Sequence, residues 1–158
     1  MGGGIAQEDG IVENCTIVSN AITGNTTPVE GIGGGVYRLA GSILRNCIIY
    51  DNYSVHASGL GYGHDIHGTN GVTHSCSPEL VHDPSGSGNI TTAPIFVDAT
   101  VGNYRVEEES PTIEMGTNTA WIISATDLDG NDRLLNKFVD MGAYETFIPP
   151  SGTVLILQ

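Results

Sequence analysis

The chain has 158 residues, of which 22 are glycine and only 15% are charged, whereas an ordinary soluble domain is about 7% glycine and about 25% charged. Ile and Val number 28 against 12 for Leu and Met, so β-formers dominate and a helical bundle is disfavoured. Five Lys plus Arg against 18 Asp plus Glu leave a net charge of −13, too few cations to neutralise a row of phosphates, which argues against nucleic acid or an anionic bilayer as a partner.

From the amino end, Met1-Gly-Gly-Gly-Ile5-Ala6 shows neither a basic start nor an apolar run, so it lacks the pattern of a secretory signal. No stretch approaches the roughly 20 apolar residues of a membrane span. The length fits one domain, and a hydrophobic fraction of 39% is enough for a core.

An internal repeat governs the first half. Gly2-Gly-Gly-Ile5 is followed by Asn14-Cys15-Thr-Ile17-Val-Ser-Asn20, and Gly33-Gly-Gly-Val36-Tyr by Asn46-Cys47-Ile-Ile49-Tyr-Asp-Asn52. The offset is 31 residues at the glycines and 32 from Asn14 onward, which requires one inserted residue between the two landmarks. A degraded third copy runs from Asp65-Ile66 through Val72 to Ser75-Cys76.

Each unit reads as short β segments joined by turns. Alternation turns Cys15 and Ile17 to one face and Thr16 and Val18 to the other, and Cys47 and Ile49 repeat the first pair. Stacking then sets Cys over Cys and Ile over Ile. Asn14, Asn20, Asn46 and Asn52 suit the bends, because asparagine tolerates the left-handed conformation and its amide can bond to an amide one tier away. Glycine triplets suit corners where a side chain would clash. Units of this kind cannot bury an apolar face alone, so the expected fold is all-β: a solenoid of parallel strands. A solenoid that begins inside a coil is expected to fray or self-associate through its open amino-terminal coil.

Three cysteines lack a Cys-x-x-Cys spacing, and an odd count leaves at least one thiol free. Cys15 and Cys47 are either buried, stacked thiols or a disulfide across adjacent coils. His64-Asp-Ile-His67 suits a metal only if a loop lets both rings converge, since residues three apart on a strand face opposite ways. Its other reading is a glycine-rich turn with incidental histidines.

Asp127-Leu-Asp-Gly-Asn-Asp132 has the oxygen density of a calcium loop, with Asp127, Asp129 and Asn131 as ligands. It does not complete an EF-hand, whose twelfth position here is Phe138. The competing reading is a turn whose Asp side chains accept from backbone amides and pair with Arg133. Glu107-Glu-Glu109 reads as a solvated edge that discourages strand aggregation.

These features resemble right-handed parallel β-helix proteins of the pectate-lyase-like superfamily. The carboxy-terminal series is similar to choice-of-anchor bacterial surface proteins: Gly88-Asn-Ile-Thr-Thr-Ala-Pro-Ile-Phe-Val-Asp98, Ser110-Pro-Thr-Ile-Glu-Met-Gly116, Asp127-Leu-Asp-Gly-Asn-Asp-Arg133 and Val139-Asp-Met-Gly-Ala-Tyr-Glu145. The resemblance implies a secreted or cell-surface protein with β-helix coils over 1–98, a terminal β cap over 99–146, and a linker and truncated tail over 147–158. Family members often have a cysteine after the Ser-Pro pair, a plausible partner for the one in the Ser-Cys-Ser-Pro stretch; Thr112 stands there, which leaves Cys76 unpaired or differently paired.

The superfamily also implies polysaccharide lyases, which need a base beside an acidic sugar and a cation to neutralise its carboxylate. Arg45 with His56 is the candidate pair. Against this, a uronate polymer meets a net charge of −13, and neither a Gly-x-Ser-x-Gly elbow nor a phosphate loop is present. Three readings stand: a non-catalytic stalk, adhesive surface or cap; a polysaccharide lyase or glycoside hydrolase; and a calcium- or glycan-binding module without turnover.

Overall fold

The computed structural model describes residues 2–23, 33–54, 65–82 and 86–149. Among the described residues the regular structure is mostly short strands, and those of the first half stack in parallel. The first tier contains β1 (Ile5–Gln7), β2 (Ile11–Glu13), β3 (Thr16–Val18) and β4 (Ala21–Ile22). The second contains β5 (Val36–Arg38), β6 (Ile43–Arg45), β7 (Ile48–Tyr50) and β8 (Tyr53–Ser54), each paired in parallel with its counterpart. A third tier continues as β9 (Ile66–His67) on β5 and as single bridges from Thr73 to Arg45 and Cys76 to Ile48.

The register locates the inserted residue. Ile5 faces Val36, 31 positions on, whereas Ile11 faces Ile43, 32 positions on. The extra residue therefore lies in the turn between the first and second strands of a tier, where a loop absorbs it without disturbing either ladder. Ile17 stands over Ile49 as alternation requires. The third tier differs: Cys76 stands over Ile48, not over Cys47. Ser75 takes the next place in the cysteine column, its Oγ accepting from the Cys47 N–H at 3.1 Å. The thiol stack thus has two members, and Cys76 belongs to the opposite face.

The asparagines divide the work expected of them. Asn14 and Asn46 take the left-handed conformation at one corner, with φ of 52° and 54°, and His74 follows in the third tier at 46°. Asn20 and Asn52 make the ladder instead. Asn20 Nδ2 donates to Asn52 Oδ1 at 3.0 Å, and Asn52 Nδ2 donates to Asp65 Oδ1 at 2.8 Å. The glycine triplets belong to the same contact. A Cβ on Gly35 would lie 2.7 Å from Asn52 Nδ2, and one on Gly4 would lie 2.9 Å from Asn20 Nδ2. Glycine and the closing asparagine recur together because one makes room for the other.

Inside the tiers, Ile17, Val36, Leu44, Cys47, Ile49, Ile66 and Val72 form one buried cluster. The one-turn 3-10 helix Pro78–His82 closes it, inserting Leu80 into the cluster while Glu79 accepts from the Asp65 N–H. A second cluster lies on the outer face of β3 and β7, where Ile48, Cys76, Val106 and Met141 are buried with Val18 and Tyr50 beside them. The carboxy-terminal segment covers this face. It starts with an antiparallel hairpin, β10 (Phe96–Asp98) and β11 (Asn103–Val106), so the boundary expected at residue 98 falls between two paired strands. It then runs irregularly across the tiers. Gly142 donates to the Asn46 carbonyl at 2.8 Å, at φ 101°, and any Cβ there would meet Ile48 Cδ1 at 2.9 Å. Only glycine permits so close an approach.

Candidate functional site

An open cleft of about 390 Å³ lies between the first-tier corner and the carboxy-terminal segment. Asn14, Cys15 and Thr16 line one wall, and Thr126, Asp127, Leu128, Arg133 and Ala143 the other. The left-handed turn at Asn14 presents Cys15 at the corner, between β2 and β3. A tight turn fixes Asp127 opposite, bridged by the antiparallel pair Thr126 and Asp132.

Arg133 joins the two walls. Its Nη1 donates to the Gly142 carbonyl at 2.9 Å and to Glu145 Oε1 at 3.1 Å, while Nη2 reaches the carbonyls of Ala143 at 3.2 Å and Asn14 at 3.3 Å. Its side chain is 6% exposed and that of Glu145 2%. Burial pushes the Glu145 carboxyl up to about 8, more than the Asp140 N–H and Arg133 pull it back. Asp140 next to it is raised to about 6 by burial, against the N–H groups of Glu114 and Thr146. Asp65, at the end of the asparagine ladder, is likewise raised by burial to about 6.

These three carboxyls fix the sign of a pH effect. Their folded pKa values lie above the ordinary ones, so the folded chain holds more protons than the unfolded chain from about pH 4 upward, and stability falls as pH rises through that window. Heavily discounted for screening, the effect is about 2 kcal/mol between pH 5 and pH 7, or about 5 °C in thermal midpoint. Calorimetric melting at the two pH values checks it, and a higher midpoint at pH 7 contradicts it.

At Cys15, the neighbouring Cys47 thiol lowers the pKa to about 7 despite burial, helped by the Arg133 charge and opposed by Glu13, while the two thiols donate to the Glu13 carbonyl at 3.2 Å and the Arg45 carbonyl at 3.1 Å. Burial raises Cys47 well above the usual thiol value and pushes Cys76 up to about 12. All three cysteines are free thiols.

The proposed calcium ligands are already bonded within the protein. Asp127 Oδ1 accepts from the N–H of Asn131 at 2.8 Å and of Asp129 at 2.9 Å, and Oδ2 from the Glu145 N–H at 2.9 Å and Asn131 Nδ2 at 3.1 Å. That fills the four lone-pair positions of a carboxylate. Burial opposes ionisation of Asp127, yet these donors outweigh it and hold the carboxyl below its usual range. Asp129 turns away to Arg105, whose Nε donates to it at 2.6 Å and whose Nη2 also bonds it. The expected partner of this turn was Arg133; Arg105 takes that place because Arg133 is held by the buried Glu145.

Arg45 faces out from β6 but is tied to Glu13, with Nε 2.5 Å from Oε2, and Trp121 Nε1 holds the other Glu13 oxygen at 2.6 Å. His56 lies outside the described residues, so its pairing with Arg45 has no structural counterpart here; His64 lies outside them as well. His67 stacks on Tyr37 of the tier below, with ring centroids 5.3 Å apart. Among the described residues there is no group of three or more His, Cys, Asp or Glu placed to hold a metal ion. Glu13 and Trp121 carry part of this chemistry without having stood out in the sequence, and Asp140 and Glu145 stood out as members of the closing series and not as buried acids. Their signal is the scarcity of cations, which makes the acid each arginine selects worth tracing.

No protein-family model matches the chain, and neither a curated protein nor a solved structure matches it.

Proposed function

We propose that this chain is a non-catalytic structural or adhesive module, a right-handed parallel β-helix with a carboxy-terminal cap, belonging to a secreted or cell-surface protein. The parallel tiers, with offsets of about one coil, support the helical reading, and the handedness follows the rule that about 98% of parallel crossovers are right-handed. The surface location rests on the resemblance of the closing series to choice-of-anchor proteins. The first tier pairs on one side alone among the described strands, and this edge is the surface through which copies would associate.

One observation carries the non-catalytic reading: all four arginines are committed to internal bonds. Arg45 is tied to Glu13, Arg105 to Asp129 and Arg133 to Glu145. Arg38 is buried and donates to the carbonyls of Ser42, Gly68 and Asn70. A uronate lyase needs a cation that its substrate can reach. On this surface the arginines brace tiers and turns instead, and the remaining exposed cation, Lys137, stands over the Phe138 ring.

Incubation with pectate, alginate and neutral glycans, followed by ultraviolet absorbance and reducing-end measurement, is expected to give no turnover. Calorimetric titration with calcium is expected to give no heat, and light scattering a mass that rises with protein concentration. Turnover abolished by Arg45→Ala would replace this reading with the lyase one.

A further inference from the structure

We propose that Cys15 and Cys47 form a redox couple on the cleft wall, in which a hydroperoxide oxidises Cys15 and Cys47 then resolves it into a disulfide between tiers. Four observations converge on this pair. The ladder pairs Thr16 with Ile48, and continued by one residue, with the Ile48 N–H bonded to the Cys15 carbonyl at 2.9 Å, it brings Cys15 beside Cys47. Neighbouring parallel strands stand about 4.8 Å apart, inside the roughly 4.4–6.8 Å between Cα atoms that a disulfide spans. Both cysteines are corner residues immediately before a strand, and their carbonyls accept bonds from the next tier, Cys47 from the Cys76 N–H at 2.8 Å as Cys15 does from Ile48, which fixes the two backbones side by side. Their exposure differs in the required sense, because Cys15 is partly exposed and lines the open cleft whereas Cys47 is completely buried beneath it.

The surroundings fit an attacking thiolate at Cys15. Arg133 faces it across the cleft and favours the anion, whereas Glu13 on its own tier acts in the opposite sense; in the resting thiol form Cys15 donates to the Glu13 carbonyl at 3.2 Å and Cys47 to the Arg45 carbonyl at 3.1 Å. Asp127, the other charged group on the cleft wall, has its lone pairs filled by N–H donors. A thiolate that is accessible and stands next to a second thiol has the features of a peroxide-reactive site. Cys76 serves as an internal control, since it is buried in the other cluster and its thiol points to the Thr92 carbonyl at 3.3 Å.

The chemistry balances. The Cys15 thiolate attacks one oxygen of the hydroperoxide and the O–O bond breaks. The departing alkoxide takes a proton to leave as an alcohol, or as water from hydrogen peroxide, and Cys15 becomes a sulfenic acid. Cys47 then gives up its proton and its sulfur attacks the Cys15 sulfur. Hydroxide leaves with that proton as water, and the S–S bond forms. The bond ties the first tier to the second beside the Arg133 clamp.

The test uses the reduced full-length chain and hydrogen peroxide. The folded protein is expected to lose the mass of two hydrogens, and non-reducing peptide mapping to find Cys15 joined to Cys47. At neutral pH, alkylation of Cys15 is expected to be on the order of 100-fold faster than that of Cys76. In Cys47→Ser, and equally in Cys47→Ala should the serine variant fold poorly, the sulfenic acid is expected to persist and be trapped on Cys15 by a carbon nucleophile; Cys76→Ser is expected to behave as wild type. Equal alkylation rates at Cys15 and Cys76, or oxidation of Cys15 to the sulfinic acid without a link to Cys47 in the wild-type chain, would overturn the proposal.

Discussion

Above about pH 8, where Glu145 is ionised, replacing Arg133 with alanine is expected to cost about 3–5 kcal/mol of stability, the range for removing one partner of a buried ion pair. The guanidinium satisfies the carbonyls of Asn14, Gly142 and Ala143 as well as the Glu145 carboxylate. Its loss leaves the Asn14 and Gly142 carbonyls and one Glu145 oxygen without a donor, the Ala143 carbonyl keeping the Leu128 N–H, in a region where Glu145 and Asp140 are both buried. In a chain of this size the cost corresponds to a fall of about 10 °C or more in thermal midpoint. The effect should depend on pH in a definite sense. Without Arg133 the Glu145 carboxyl, already raised to about 8 by burial, rises further. The variant can therefore recover part of its loss by holding a proton, and the deficit is smaller at pH 5.5 than at pH 8.5. Urea unfolding at the two pH values measures both parts. A deficit below about 1 kcal/mol at each pH, the size of an ordinary surface pair, would show that the clamp does not hold the carboxy-terminal segment to the tiers.

Arg133 also marks where the sequence stops being readable. Its presence after an acidic turn is visible in the chain, and pairing with that turn was the natural inference. The choice of Glu145 is set by tertiary packing, because Gly142 brings the segment against Ile48 and fixes where the guanidinium can reach. The tiers were legible for the opposite reason. Gly-Gly-Gly and Asn-Cys-x-Ile recur at nearly constant spacing, and a stack converts sequence offset directly into contact. Even the inserted residue could be placed from offsets of 31 and 32. The third copy, Asp65 to Cys76, was legible in extent but not in register, because its offset contracts to 28 at Cys76, and a contraction inside a turn leaves no mark in a degraded motif. Covering of the outer face of β3 and β7 was signalled more faintly. Ile48 and Ile49 are consecutive apolar residues, and a strand apolar on both faces is one buried on both faces. What would cover it was not deducible, since the segment that does so is largely irregular and held by single glycines and caps.

Asn52→Ala is expected to be the second severe change, at about 3 kcal/mol, and the comparison with Asn20→Ala decides why. Asn52 is 5% exposed and its amide is saturated. Nδ2 donates to the Ile17 carbonyl at 2.8 Å, to the Tyr50 carbonyl at 3.2 Å and to Asp65 Oδ1 at 2.8 Å, while Oδ1 accepts from both the backbone and side-chain nitrogens of Asn20 at 3.0 Å. Truncation strips partners from groups in all three tiers, each costing about 1–3 kcal/mol where water does not replace the bond. Asn20 stands at the open end of the same ladder, half-buried, and there water can take over. Its replacement should cost about 1 kcal/mol. Asn52→Asp sharpens the comparison. An aspartate keeps the acceptor for Asn20 but cannot donate to Ile17 or Tyr50, and it places a second carboxylate against Asp65, whose own pKa burial has already raised to about 6. Like charges at that distance cannot both ionise cheaply, so this variant should be the least stable of the three at pH 7.5 and should recover as the pH falls towards 5. Denaturant unfolding of all three across that range provides the ranking. If Asn20→Ala costs as much as Asn52→Ala, burial at the centre of the ladder is not what gives the closing asparagine its weight, and the cause must lie in the corner itself.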